Sequence, residues 1–150
     1  MLGLIGIITN VATIAAVLWG VFQYRDNKMR ENKVATIEAY SRLQNEVFDK
    51  LNRWSPSEVK KVAEDPQSDE YKELSGYLAR IECFCAGITQ KIYDFDAFYT
   101  VAHGYFDGNR GMLRQRLLPL LDKKLELSDE DYYQNLHKVW EFMEKKTNKQ

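Results

Sequence analysis

Hydrophobic and polar positions divide the chain at Tyr24. From Leu2 to Phe22 the run is almost wholly apolar, interrupted only by small residues and by Thr9, Asn10 and Thr13, and no charge occurs among residues 1–24. A helix of that length covers about 30 Å, the thickness of a hydrocarbon core. The pattern predicts a transmembrane helix over residues 1–24. Beyond it the period changes. Val34, Ile37, Tyr40, Leu43, Val47, Phe48, Leu51 and Trp54 recur at three- and four-residue steps, which predicts a juxtamembrane amphipathic helix over 25–54. No Pro or Gly separates the two stretches, so one continuous helix to about Leu51 is expected.

The remainder, 55–150, reads as a compact cytoplasmic bundle. Ser55-Pro56-Ser57-Glu58 combines a capping Ser, Pro at the first helical position and an acid three residues on. Asp65-Pro66 ends that short helix. Ser68 then caps a longer one, with Leu74, Leu78, Ile81, Cys85, Ile88 and Ile92 on one side. Asp94 is expected to cap FDAFYTVAHGYF, followed by a loop at Asp107–Gly111 and a helix carrying Pro119, where a kink is expected. Ser128 with Asp131 predicts the start of a last helix bearing Tyr132, Leu136, Val139, Trp140 and Met143. No stretch alternates with period two, so the fold class is all-α.

Charge adds orientation. The chain carries 21 Lys and Arg against 22 Asp and Glu, and all of them lie beyond Tyr24. A cleaved signal peptide places basic residues before its apolar core. Here Arg25, Lys28, Arg30 and Lys33 follow it, which predicts an N-terminus outside and a cytoplasmic C-terminal domain. Trp19 and Tyr24 fall where interfacial aromatics sit. The four basic residues suit anionic headgroups better than nucleic acid, and direct DNA binding is not expected.

Within the span, Gly3, Gly6, Asn10, Thr13, Val17, Gly20 and Tyr24 form one stripe, and Ala12, Ala16 and Gly20 follow a small-xxx-small pattern that permits close helix approach. Asn10 would lie near mid-bilayer, where an amide facing lipid is costly. Two readings stand. Either these polar groups are tolerated in a lone anchor, or Gly6, Asn10, Thr13 and Gly20 face helix contacts or a lumen in a homo-oligomer of six or more subunits. Such an oligomer is a simple bundle or a ring around a pore.

Other chemistry is sparse. Cys83 and Cys85 diverge on one helix and read as buried reduced thiols. Only His103 and His137 accompany them, too few for a metal site, and no cofactor is expected. Glu82 stands among apolar neighbours in YLARIECFCAGI. A structural ion pair with Arg42, Arg114 or Arg116 is expected, with general acid-base work the sharper alternative. Arg110, Arg114 and Arg116 are a candidate ligand-binding set for a phosphate-bearing signal if subunits bring their copies together.

The segments KVATIEAYSRLQNEVF and LSGYLARIECFCAGITQKIYDFDAFYTVAHGYF, behind a membrane helix, resemble a large family of small bacterial helical proteins with an N-terminal anchor. The matching features are Ala35-Thr36, Glu82, Gly87-Ile88, Asp94 and Tyr105. The architecture is also similar to the membrane accessory proteins encoded beside type VI-B CRISPR RNA-targeting nucleases, described as HEPN-like domains on a single span. That resemblance implies a pore-forming, non-enzymatic accessory of antiviral defence, working with an RNA-guided nuclease system. HEPN ribonucleases place an Arg four to six residues before the catalytic His. Neither His103 nor His137 has one, so the chain departs from that motif. A cytoplasmic nucleotide sensor and a membrane-tethered ribonuclease centred on His103 stand as alternatives.

Overall fold

The computed structural model describes residues 2–106, 112–128 and 132–149, with the side chains of 2–12 and of Ser128 outside that description. Among the described residues the chain is helical throughout, without strands. Helix α1 (Leu2–Leu43) passes into a π turn at Gln44–Phe48 and the short α2 (Asp49–Leu51). Then come α3 (Pro56–Ala63), α4 (Asp69–Thr89), α5 (Phe95–Phe106), α6 (Met112–Ser128) and α7 (Gln134–Thr147). The helix from Leu2 to Leu51 is therefore continuous apart from the wider π turn.

Local chemistry sets several boundaries as the sequence predicts. Ser55 caps α3: Glu58 N donates to its Oγ at 3.3 Å, while Ser55 N donates to Glu58 Oε2 at 2.7 Å. Pro56 occupies the first helical position, where its missing N–H costs nothing. Ser68 Oγ accepts from Tyr71 N at 3.1 Å to open α4, and Asp94 Oδ1 accepts from Ala97 N at 2.7 Å to open α5. Helix α6 runs through Pro119.

Two boundaries differ from the sequence reading. Helix α4 stops at Thr89, and Lys91 adopts φ 60°. Ile92 N and Tyr93 N then both donate to Gly87 O, at 2.9 and 3.0 Å, which folds the helix end back on itself. Ile92 leaves the apolar face of α4 and is 58% exposed. The last helix begins at Gln134 rather than near Ser128, leaving Tyr132 outside it. Its expected cap residues lie at or beyond the edge of the described residues.

The core joins the C-terminal part of α1 to α4–α7. Tyr40 packs on Phe98 at 5.8 Å between ring centroids, and Phe48 on Phe106 at 5.9 Å. Both pairs are offset by the same eight positions, so α1 and α5 run parallel. Helix α4 returns between them, with Phe84 5.3 Å from Phe98 and 6.2 Å from Tyr40. Gly87 is required where Tyr93 folds back: a Cβ there would lie 2.4 Å from the Tyr93 ring. One buried polar side chain, Thr36, locks the register. Its Oγ1 donates to Asn32 O at 2.6 Å and accepts from Asp94 N at 2.7 Å.

Candidate functional site

Among the described residues, the side chains of α1 ahead of Thr36 stand out for their lack of packing. Ahead of Thr36 none of the described side chains of α1 is buried. Ile14, Val17, Leu18, Trp19, Val21, Phe22 and Tyr24 are all more than half exposed and point to every side of the helix. A soluble amphipathic helix hides one stripe; this segment hides none. Trp19 and Phe22 stack on each other at 6.5 Å. Next come Arg25, Lys28, Arg30 and Lys33, all exposed, with Arg30 paired to Asp26 at 2.9 Å.

Of the expected contact residues on that helix, Gly6 and Asn10 have side chains outside the described set. Thr13 is exposed on the helix surface. At Gly20 a Cβ would meet nothing within 4 Å, so within one chain its small size serves no contact. Among the described residues no helix is long and apolar enough to cross a membrane. The first half of the uncharged stretch, residues 1–12, is not represented there by its side chains.

Of the candidate ligand-binding set, Arg114 and Arg116 fall on α6. Arg110 lies outside the described residues. Arg114 Nη1 donates to Glu144 Oε1 at 3.1 Å, and its guanidinium lies 5.3 Å from the centre of the Trp140 ring, on the α7 side. Arg116 turns to the opposite side and donates to Asn52 Oδ1, which also accepts from Tyr105 OH at 3.0 Å. The two guanidinium groups brace different neighbours.

Glu82 has a role other than the expected ion pair. Its Oε1 accepts from Asn135 N at 3.1 Å and from Asn135 Nδ2 at 2.7 Å, and its Oε2 accepts from Leu136 N at 2.9 Å. The carboxylate thus caps α7 from another helix, at the end where helix N–H groups lack partners and the helix dipole favours negative charge. Thr89 Oγ1 donates to Asn135 Oδ1 at 2.6 Å and fixes the same junction. An Arg partner was expected because a half-buried acid needs compensation; backbone amides supply it instead.

The cysteines divide. Cys85 is buried, and burial with the nearby Glu82 charge pushes its thiol well above the usual range, whereas Cys83 is exposed. His103 Nδ1 lies 3.2 Å from Tyr99 O and its ring stacks on Tyr99, while His137 stacks on Trp140. No group of His, Cys, Asp and Glu suited to a metal occurs among the described residues.

One feature escaped the sequence reading. Between α6 and α7 lies a cleft of about 450 Å³, whose lining includes Leu118, Leu121, Leu125, Tyr132 and Trp140. The buried Trp140 Nε1 has no hydrogen-bond partner among the described residues. Leu118 and Leu125, one heptad apart, were the available signal, but they merge with the core periodicity of α6.

Comparison with protein families, curated proteins and solved structures finds no match to this chain.

Proposed function

We propose that the chain is a single-span membrane protein, N-terminus outside and bundle in the cytoplasm, that self-associates through its N-terminal helix and forms or gates a pore. Its setting is bacterial antiviral defence, beside an RNA-guided nuclease system, as the architectural resemblance implies. One observation carries the anchor. An unbroken helix leaves the bundle and exposes apolar side chains on every side up to Tyr24, then meets a collar of four basic residues. In water that surface is unstable by about 25 cal/mol for each Å² left uncovered. A bilayer covers it all round, and the collar matches anionic headgroups on the inner side.

Self-association is supported by the polar residues Asn10 and Thr13 inside the apolar stretch, since an amide facing lipid is costly and helix contacts favour polar and small residues. Reconstitution tests both parts. The full-length protein should float with lipid vesicles, resist alkaline carbonate extraction and release an entrapped small dye, and Asn10→Leu should change the release rate. Extraction by carbonate would defeat the anchor. Stable insertion without dye release, together with a monomeric mass in mild detergent, would defeat the pore.

A further inference from the structure

The end of the bundle nearest the free half of α1 is the turn between α4 and α5. Asp94 N is held by Thr36 Oγ1 at 2.7 Å, and from that point α1 and α5 run together away from the apolar segment. The backbone at this turn is specialised. Lys91 stands at φ 60°, a left-handed conformation that non-Gly residues rarely adopt. The fold-back onto Gly87 O sends Ile92 outward instead of into the core. On α1, within one turn of Thr36, Val34 and Ile37 are also exposed, and Lys33 and Lys91 are exposed with them. The acids closest in sequence to the turn are engaged: Asp94 caps α5 and Asp96 accepts from Lys146.

We propose that this tip is a second membrane contact. Lys33 and Lys91 bind anionic headgroups, and Ile92 enters the interfacial layer. The proposal rests on the anchor reading. From Tyr24 to Thr36 is twelve residues, about 18 Å along the helix axis. The interfacial layer fills about 5–7 Å of that distance. Tilt of α1, which reaches about 40° in membrane helices, together with the reach of the two side chains brings the tip to the surface. A lipid surface suits the patch better than a second copy, because two copies would bring like ammonium charges together around a small apolar centre.

The test uses the full chain in phosphatidylcholine vesicles with and without phosphatidylglycerol. An environment-sensitive fluorophore is placed on Ile92→Cys in a Cys83→Ser background; Cys85 is buried and stays unlabelled. The expected result is a blue-shifted emission, quenched by a headgroup-borne quencher, in anionic vesicles only. Lys91→Glu should return the emission to its value in neutral vesicles while the protein stays membrane-bound. Identical emission in both lipids, or a shift that follows protein concentration rather than lipid charge, overturns the second contact and leaves the anchor intact. Protein that is extracted by alkaline carbonate overturns the anchor and the second contact with it.

Discussion

The two halves of α1 share one backbone and differ in everything around it. Toward the C-terminal end of this continuous helix Tyr40, Leu43, Val47, Phe48 and Leu51 are all buried in the core. Between Ile14 and Tyr24 the apolar content is higher, yet the large side chains stay exposed. Hydrophobicity alone therefore does not decide what becomes core. Periodicity does: the second half concentrates its apolar residues on one face, which a bundle can cover, and the first half spreads them over all faces, which only a solvent of lipid or several partner helices can cover.

The largest test of that contrast is a pair of identical truncations. Phe48→Ala should lower the stability of the bundle by about 3–5 kcal/mol, because the ring is buried among Tyr40, Tyr105 and Phe106 and leaves a cavity. Phe22→Ala, on the same helix, should leave the bundle's denaturant midpoint unchanged in detergent. A comparable loss at both positions would mean that the N-terminal half packs on the bundle after all.

A smaller effect is expected at Glu82. Removing the carboxylate in Glu82→Ala strips two backbone N–H groups and one side-chain amide of their acceptor and should cost about 1.5–3 kcal/mol, the range for hydrogen bonds to a charged group. Glu82→Gln keeps one oxygen but turns an amide N–H₂ toward a donor, and should recover only part of the loss. Hydrogen exchange should locate the damage at the start of α7, with α1 unaffected. Uniform loosening across the bundle would argue against a capping role.

What could be read from the sequence follows the range of the interactions. The caps at Ser55, Ser68 and Asp94 act within three residues of themselves, so their spacing announces them. The unbroken passage from the apolar stretch into the amphipathic one follows from the absence of any Pro or Gly between Val21 and Leu51. Glu82 was visible as an acid in an apolar stretch, but its partner lies 53 residues away in sequence and is backbone, which no residue type advertises. Arg114 and Arg116 look like a cluster in one dimension; two positions apart on a helix, they point to different sides and meet Glu144 and Asn52. Ile92 continues the three-four pattern of α4, and only the left-handed turn at Lys91 removes it from the core. Thr36 and Asp94 are joined by a hydrogen bond, Glu82 caps α7, Gly87 makes room for Tyr93 and Tyr105 packs on Phe48, so these residues hold the bundle. These residues speak for fold and carry little about activity.

The smallest effect concerns pH and again separates the two halves. Burial, with Tyr105 nearby, pushes the Tyr40 phenol up to about 12 from an ordinary value near 10. The fold therefore favours the neutral phenol. That contribution is complete below pH 10 and is lost as pH rises from 10 through 12, because the unfolded chain ionises first. At pH 11 the loss from this one residue is about 1 kcal/mol. Tyr133, also raised to about 12 by burial, adds a similar slope from just ahead of α7. Tyr40→Phe should thus melt almost like the parent at neutral pH and less steeply between pH 10 and 12, the difference being Tyr40's share. If the two proteins lose stability in parallel over that interval, the Tyr40 hydroxyl is solvated in the folded state, and the aromatic seam joining α1 to α5 is wetter than its packing indicates.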